Sequence, residues 1–478
     1  MAVSSLGHKA SVGAVWAAID RFGVMTLQFV VNMVLARLLT PEAFGVVGML
    51  AIFIAVSQVI IDGGFASALI QKKNPTQTDY STIFYWNIII SSLLYAVLFF
   101  AAPLISRFYE MATLCPVLRI MGISLILQGV VAIQVARLRK CLSFNVIAIT
   151  NVGSYLGGSA IAIYLAYHGW GVWSLVLNQL FYNILCIILF FILTQWHPSL
   201  VFSKATIKEL FGFGGYIMAA NILQTACQNL QGVIIGKRFS ATQMGYFSQA
   251  YKLDQITSYA IPQIIVQVMY PVYSTLQDDI PRLRNILMMN IRVLSFAIFP
   301  ILAVLIIIAE PLLITLYGTQ WLPAVPYYKI LCIGGMFVCL QNVNFYAVAA
   351  VGKSKALFYW SFYKWGFLIL ALLGGMFVGM YGILIAMVLS SLNIYLVNAY
   401  LVNKYLSMPI MCQVKILLPI FTNALICFIV THSLNEAIGL HFIISVVAFL
   451  CTYSAIAYCF RFKALSETVL LVSKIIKR

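Results

Sequence analysis

Charged side chains interrupt several long apolar runs of this sequence. Asp20 and Arg21 stand side by side in the run WAAIDRFGVMTLQFVVNMVL, and Lys252, Arg292 and Lys364 fall inside three later runs. Near the centre of a membrane-spanning helix, one such charge costs roughly 2.5 to 3.5 kcal/mol on insertion scales. Charges at these positions normally face a bundle interior or water and mark the path of a substrate. We therefore expect a polar cavity among the helices that carry them.

The four bases differ in their depth. Counted from the inner ends of their predicted spans, Arg21, Arg292 and Lys364 lie about nine residues in, which is roughly 13 Å at 1.5 Å per residue. Lys252 lies nearer the middle of its helix. The first three have a structural alternative, since long basic side chains can reach the interface or hold helices together through ion pairs. Lys252 is too deep to reach the interface easily, which favours a functional role.

Three acids lie at comparable depth and are candidates for carrying a coupling ion: Asp20, Asp62 and Asp254. Neighbours on a helix point about 100° apart, so Asp20 and Arg21 do not pair face to face. Asp62 precedes two glycines, and a polar residue at a helix end explains it better than a coupling role. The sequence names no partner for Asp254.

The composition requires a polytopic membrane protein. The chain has 478 residues, of which 63% are hydrophobic and 9% charged, and its mean hydropathy is +1.00. Soluble domains do not combine these values. Runs long enough to cross a hydrocarbon core of ~30 Å predict about fourteen helices, the second of them over roughly residues 43 to 70. The predicted fold class is therefore an all-α polytopic membrane protein.

Cysteine and histidine predict no cofactor chemistry. The ten cysteines form no CxxC pair, and the five histidines lie near span ends without an HExxH or other metal-ligand spacing. We expect no disulfide framework, no metal and no cofactor.

The positive charge follows the topology of the membrane. The formal net charge is +17, and Lys and Arg concentrate in the loops on one side, such as Arg137, Arg139 and Lys140 between two spans. This asymmetry is typical of cytoplasmic loops. We expect both termini in the cytoplasm, and no nucleic-acid partner.

An internal repeat relates the two halves of the chain. The segment ARLLTPEAFG (36–45) matches GKRFSATQMG (236–245), and a weaker match relates 117–125 to 327–335. The first match aligns Arg37 with Lys237, Thr40 with Ser240, Gly45 with Gly245 and, just before it, Gln28 with Gln228. Two matches in order, at offsets near 200 residues, indicate a duplication with parallel orientation.

The repeat predicts the domain organisation. We expect a first six-helix lobe at 1–195, a cytoplasmic linker at 196–208, a second six-helix lobe at 209–403 and two further helices at 404–460. The tail at 461–478, RFKALSETVLLVSKIIKR, has one apolar face and several basic residues. It is typical of an interfacial helix that binds anionic lipid.

Several stretches resemble the polysaccharide-type flippases of the multidrug/oligosaccharidyl-lipid/polysaccharide exporter superfamily, and most closely the colanic-acid and teichuronic-acid exporter branch. They are LARLLTPEAFGVVGM, DGGFASALIQKK, GKRFSATQMGYFSQAYKLDQI, VMYPVYSTLQDDIPRLR and AEPLLITLYGTQWLPAVPYYKIL. They extend over most of residues 10–360.

The resemblance implies two six-helix lobes in a V around a central cavity, plus two C-terminal helices. It implies that the protein carries an undecaprenyl-pyrophosphate-linked oligosaccharide repeat unit from the inner to the outer leaflet of a bacterial cytoplasmic membrane by alternating access. The product would serve exopolysaccharide, O-antigen or capsule synthesis. The implied partners are this lipid-linked sugar, the bilayer and a polymerase or export complex.

This cargo gives the charged and polar residues a purpose. A pyrophosphate that leaves water needs replacement contacts, and Arg21, Lys252, Arg292 and Lys364 would supply them as a basic cleft. Amides hydrogen-bond to sugar hydroxyls and aromatic faces stack on sugar rings, while hydrogen bonds between helices are an equal alternative. The candidate sugar contacts are Gln28, Asn32, Gln224, Gln228, Tyr251 and Asn344.

Two other function classes are compatible with a polytopic membrane protein. An ion-coupled exporter of cationic drugs belongs to the same superfamily, but its cavity should be dominated by carboxylates rather than by bases. A membrane glycosyltransferase or polymerase would need catalytic carboxylates on a large outer loop, and the predicted outer loops are short. We therefore expect a transporter and not an enzyme, and assign no catalytic residue.

Overall fold

The computed structural model describes residues 2–65, 68–69, 72, 74–438 and 442–468. Side chains are described throughout these ranges except at 2–11, 14, 212–214, 216–217, 260–261, 264–268 and 436–438. All regular secondary structure in these ranges is helical. The chain divides into two compact units, residues 1–245 and 246–478.

The first unit consists of seven long helices and the start of an eighth. They are α1 (Ala2–Leu38), α2 (Pro41–Asp62), α3 (Gln77–Tyr109), α4 (Leu114–Lys140), α5 (Phe144–Tyr167), α6 (Val172–Thr194), α7 (Lys204–Arg238) and α8 (Ala241–Asp254), within which the unit ends.

The second unit begins in α8 and continues through a π-helical segment (Gln255–Ala260) and a 3₁₀ segment (Thr319–Ala324). Its remaining helices are α9 (Ile261–Thr275), α10 (Ile280–Ile307), α11 (Ala309–Tyr317), α12 (Val325–Ala350), α13 (Ser354–Val378), α14 (Met380–Leu406), α15 (Ile410–Ile438) and α16 (Phe442–Cys459).

The apolar sequence accounts for most of these helices. Among the described residues, 12 helices are long and apolar enough to cross a membrane. The more polar α7 and the interrupted stretch 241–275 are not among them, so the predicted number of about fourteen spans stays approximate. Buried residues form the contacts between helices, while large apolar side chains such as Phe100 and Phe377 stay exposed, as a lipid-facing surface requires.

The second span is shorter than its apolar run predicts. α2 starts after the N-cap Thr40 with Pro41 in its first turn and ends at Asp62. Gly63 caps it with φ 52°, a left-handed conformation that glycine adopts without steric cost. The prediction of one helix up to residue 70 was therefore wrong, because a glycine C-cap ends the helix inside the apolar run.

The predicted interfacial helix of the C-terminal tail, residues 461–478, falls partly outside the described residues, since 469–478 are not among them.

The first compact unit extends further along the chain than the predicted first lobe. The repeat assigns α7 to the second lobe, but α7 packs along α2 and its N-terminal end packs on α3. Gly236 of α7 permits this, since a Cβ there would lie 2.8 Å from Met49 Cγ and 2.9 Å from Tyr109 Cε1. Small residues at a helix interface let membrane helices approach closely.

Candidate functional site

The two copies of the repeat motif touch each other inside the first unit. A Cβ atom on Gly45 would lie 1.7 Å from the backbone oxygen of Ala241, and a Cβ on Gly245 would lie 1.8 Å from the backbone oxygen of Pro41. Each distance is far below van der Waals contact, so only glycine fits either position. The contact is reciprocal, because Pro41 and Ala241, like Gly45 and Gly245, occupy equivalent positions of the repeat. The motifs therefore meet about a local pseudo-two-fold axis.

An ion pair lies at the same end of these helices. Lys237, near the end of α7, donates a hydrogen bond of 2.7 Å to Glu110, which caps α3. The pKa of the Glu110 carboxyl is lowered by this hydrogen bond and by the positive charge of Lys237. A lowered pKa means that the pair contributes at neutral pH and is lost as the pH falls through the pKa of the folded state. Both side chains are exposed, so the contribution is small.

The linker after α6 is fixed to the start of α3. Trp196 donates from Nε1 to Gln77 Oε1 at 2.7 Å. The backbone N–H of Ser199 donates to Ser81 Oγ at 2.9 Å, which continues the attachment. Hydrogen bonds therefore hold the segment that connects α6 to α7 against the start of α3.

Asp79 joins this linker to α7. It forms a capping box with Thr76 at the start of α3 and accepts hydrogen bonds from Thr206 at 3.0 Å and from Lys72 at 3.2 Å. Lys72 also bonds to Glu209 at 3.0 Å. Burial alone would lower the pKa of Lys72, but these hydrogen bonds raise it overall. Sequence reasoning missed this network, although the T-x-x-D spacing of residues 76–79 was a visible capping signal.

The predicted residues on α1 are partly engaged. Asp20 accepts a hydrogen bond of 2.8 Å from Asn151 of α5, and Tyr182 donates to the same asparagine at 3.4 Å. Arg21 is exposed and has no ion-pair partner among the described residues. Asp20 and Arg21 thus point to different environments, as their helical spacing requires.

The candidate amides of the first unit remain accessible. Gln28, Gln224 and Gln228 are exposed and Asn32 is half-buried. The exposed side chains of Gln28, Gln224 and Gln228 are therefore accessible to a ligand, while the grouping of the four amides around a sugar stays a prediction.

The three bases of the second unit have different environments. Lys364 is 6% exposed and donates a hydrogen bond of 2.6 Å to Asn398, which in turn donates to the Gln341 carbonyl at 2.9 Å. Arg292 forms an ion pair with Glu467. Lys252 has an exposed side chain. The structural alternative, in which the bases pair with other groups of the protein, therefore applies to Lys364 and Arg292 in this state.

The aromatic and amide candidates for sugar contacts in the second unit also differ in their burial. Tyr251 is half-buried and stacks on Phe247 with ring centroids 5.5 Å apart. Asn344 is fully buried and exchanges two hydrogen bonds with Gln413, at 3.0 and 3.3 Å. Both polar atoms of Asn344 bond to Gln413 in this state, so its role as a sugar contact stays a prediction.

The other two candidate coupling acids lie in opposite environments. Asp62 is exposed as the last residue of α2, which is the helix-end position expected from the glycines that follow it. Asp254 is buried at the end of α8 and accepts a hydrogen bond of 2.5 Å from Ser258.

We expect Lys364→Met to leave the protein folded, because methionine retains the shape and apolar character of the stem without a buried charge. We expect Asn398→Ala to destabilise it by about 1 to 3 kcal/mol, since the Lys364 ammonium group then loses its acceptor. Thermal unfolding of both variants in detergent measures the difference. If Lys364→Met unfolded at the lower temperature of the two, the lysine would be a structural requirement rather than a replaceable base.

A family model described as polysaccharide biosynthesis protein matches residues 34–326. The match spans more than half of the chain and includes both copies of the repeat motif. The chain belongs to this polysaccharide biosynthesis protein family. Its predicted membership of the polysaccharide branch is therefore confirmed.

Three relatives align with most of this family member. It is 26% identical over 362 residues to the teichuronic acid biosynthesis protein TuaB of Bacillus subtilis (strain 168), which is 74% of each chain. It is 24% identical over 389 residues to the lipopolysaccharide biosynthesis protein WzxC of Escherichia coli (strain K12), which is 80% of this chain and 79% of the relative. It is 26% identical over 349 residues to the succinoglycan biosynthesis transport protein ExoT of Rhizobium meliloti (strain 1021), covering 72% and 70%.

Solved structures show the fold of this family member. A lipid II flippase, MurJ, in an inward closed conformation has a TM-score of 0.74 at 15% identity and covers 93% of this chain and 98% of its own. A multidrug resistance MATE transporter in an inward-facing conformation has a TM-score of 0.64 at 12% identity, covering 82% and 98%. The prediction of an all-α polytopic membrane fold is confirmed.

Proposed function

We propose that this chain is a flippase that moves undecaprenyl-pyrophosphate-linked oligosaccharide repeat units from the inner to the outer leaflet of the bacterial cytoplasmic membrane. The relatives are named for teichuronic acid, lipopolysaccharide and succinoglycan biosynthesis, and one of them for transport. The structural neighbour with a TM-score of 0.74 is a lipid flippase. A lipid-linked sugar is a cargo that agrees with both observations. Such a protein changes no covalent bond and is not an enzyme.

The reciprocal contact of Gly45 and Gly245 carries the proposal of alternating access. Equivalent points of two parallel repeats meet at one end of α2 and α7, opposite the end where Asp79 holds the linker. By the charge asymmetry of the loops, this is the outer end. Transporters built from parallel repeats open and close by movement of one repeat against the other. The glycine contact is a closed outer side, and its separation would be the opening.

Exposed bases support recognition of a pyrophosphate. Arg21 and Lys252 both have exposed side chains, and an arginine binds phosphate through two parallel charge-assisted hydrogen bonds. Arg292 and Lys364 are engaged by Glu467 and Asn398. We propose that they join the head-group site when these partners separate.

The direct test is leaflet accessibility of the cargo in the host strain. Deletion of the gene should leave lipid-linked repeat units protected from a membrane-impermeant sugar-oxidising reagent in intact spheroplasts, and the intact gene should restore their oxidation. Permeabilised membranes are the control, in which both strains should react equally. Equal oxidation in intact deletion and wild-type spheroplasts would contradict the proposal, provided that no second flippase is expressed.

A drug exporter is the second candidate, since a multidrug transporter shares the fold at a TM-score of 0.64. Such a protein should raise resistance to cationic dyes when expressed in a strain that lacks its own exporters. We expect no such resistance, because the exposed deep charges Arg21 and Lys252 repel cations.

The proposed orientation predicts a labelling pattern. A cysteine in place of Asn435, close to the end of α15, should react with an impermeant maleimide from outside intact cells, since the basic loops assign this end to the outer face. The exposed Cys141, Cys451 and Cys459 are replaced by serine beforehand to remove background labelling. A signal that requires permeabilisation would reverse the topology.

A further inference from the structure

A buried carboxylate lies where α8 passes into the π-helical segment. Asp254 is 4% exposed, and the hydroxyl of Ser258 donates a hydrogen bond of 2.5 Å to its Oδ1. Residues Gln255–Ala260 are π-helical. π-helical turns are rare, and they occur frequently at functional sites. The carboxylate and the irregular turn are therefore parts of one local arrangement.

The sequence explains why the helix is irregular here. In an α-helix, the carbonyl of Ser258 would accept from the N–H of residue 262, but Pro262 has no N–H. In the structure, the Cys339 thiol of α12 donates to this carbonyl instead, at 3.5 Å. A hydrogen bond from another helix thus replaces the one that proline removes.

α12 also packs closely against the carboxylate. A Cβ on Gly335 would lie 2.0 Å from Ser258 Oγ and 3.3 Å from Asp254 Oδ1. Only glycine leaves room for the pair formed by Ser258 and Asp254. The packing is close enough that a change in this pair must move either the π-helical segment or α12.

The titratable groups that face Asp254 are uncharged at neutral pH. From α8 and the π-helical segment they are Tyr251 and Tyr259, and from α12 they are Tyr328, Cys332 and Cys339. α9 adds none nearby, since residues 261–269 contain no titratable side chain.

The described residues place no cation in an ion pair with Asp254. Lys252 is two residues away on the same helix, hence on nearly the opposite side, and its side chain is exposed. A charged carboxylate buried without a cation costs several kcal/mol, and a proton removes that cost.

A second buried polar group lies in the same place. Tyr328 of α12 is 0% exposed, and its hydroxyl lies beside Thr257 and Cys332 without a hydrogen bond of good geometry in the described part of the chain. A buried hydroxyl without a partner costs about 1 to 3 kcal/mol.

We propose that Asp254 is a proton-binding site, and that the gain and loss of its proton switch the π-helical segment between two arrangements. The proton comes from water and binds one carboxylate oxygen, so the buried group becomes neutral and can itself donate a hydrogen bond. When the proton leaves to water, the charged carboxylate needs hydration, which the present packing denies it. A shift of the π turn by one residue rotates the helix before it by about 100° and carries Asp254 to another face.

Under the proposed function, the proton site couples proton movement to transport. If the chain is a flippase, a proton that enters from one side of the membrane and leaves to the other supplies free energy for the cycle. This step rests on the proposed function, whereas the existence of the proton site does not.

Infrared spectroscopy of the full chain in nanodiscs tests the site without any transport. We expect a carbonyl band of a protonated carboxylic acid that titrates in the wild type and disappears in Asp254→Asn. Asp278→Asn, which changes an exposed acid in the turn after α9, should leave the band unchanged. Ser258→Ala should retain the band but shift its titration, because the hydrogen bond to the carboxylate is lost. A wild type without this band, or a band that survives Asp254→Asn, would overturn the proposal.

A second measurement separates the proton site from the flippase. Proteoliposomes that contain a pH-sensitive dye and lipid-linked repeat units extracted from the host should acidify or alkalinise only when the units move, and Asp254→Asn should abolish this proton flux. Flux that follows a sodium gradient instead would contradict proton binding. Failure of all cargo movement, with the infrared titration intact, would reject the flippase and leave the proton site standing.

Discussion

We expect Gly45→Ala to impair transport strongly, although it adds a single methyl group. That group would lie 1.7 Å from the Ala241 backbone oxygen, and backbone atoms within two packed helices cannot rotate away as a side-chain tip can. The helices must separate, which costs about 1 to 3 kcal/mol for an overpacked interface and sometimes more. The proposed closed state of the outer side is therefore destabilised, and it is less populated in the transport cycle.

The measurement is cargo translocation at matched expression, with two controls. Gly374→Ala adds the same methyl group to α13 at a position with no atom within 4 Å, so this variant should transport normally. Cysteines in place of Thr40 and Ser240, which precede Pro41 and Ala241, should cross-link in the wild-type background and lose the cross-link when alanine replaces Gly45. A folded Gly45→Ala protein that transports at the wild-type rate would show that the glycine contact has no part in the cycle.

The symmetry of the contact makes the test stricter. Gly245→Ala meets the Pro41 oxygen at 1.8 Å and should cause the same loss as Gly45→Ala. Because both changes break one interface, their effects on stability should not add in the double variant. Additive losses would mean that the two glycines act at separate places.

The sequence allowed the two glycines to be aligned but not to be placed in contact. The pairing of Gly45 with Gly245 followed from a repeat near 200 residues, which is information along the chain. That equivalent residues of two repeats should touch each other is a property of the packing, since parallel repeats can be related by an axis at any distance from these motifs. The glycines themselves were the available signal, because they permit close backbone approach.

The partners of the buried charges could likewise not be predicted from the sequence. Composition and periodicity placed Lys364 and Arg292 inside apolar spans, and the cost of such charges required compensation. Their partners, Asn398 and Glu467, are distant in sequence, so no helical spacing rule could identify them. Local rules worked where the chemistry was local, as at the Asp62 helix end.

Arg21→Ala is expected to impair translocation strongly while the protein stays folded. Arg21 is exposed on α1 and pairs with no carboxylate among the described residues, so its removal breaks no ion pair there. A guanidinium contact to phosphate is charge-assisted, and its loss costs on the order of 1.5 to 3 kcal/mol. Since each 1.36 kcal/mol is a factor of ten, the rate should fall roughly 10- to 150-fold.

Substitutions around Arg21 separate head-group binding from general charge. Arg21→Lys should recover only part of the rate, because an ammonium group cannot form the bidentate contact. Arg107→Ala, which removes an exposed arginine near the end of α3, should have no effect. Asp20→Asn should be mild, since an asparagine oxygen can still accept the hydrogen bond from Asn151; a severe loss would instead assign Asp20 to ion coupling.

A set of single variants tests the proposed basic cleft as a whole. Arg21→Ala, Lys252→Ala and Arg292→Ala are assayed for repeat-unit translocation in membrane vesicles at matched expression. Loss in Arg21→Ala and Lys252→Ala, both exposed, with a smaller loss in Arg292→Ala, would fit a head group that first meets the accessible bases. Normal transport by all three would reduce the bases to structural and interfacial roles, because a pyrophosphate cannot leave water without replacement contacts.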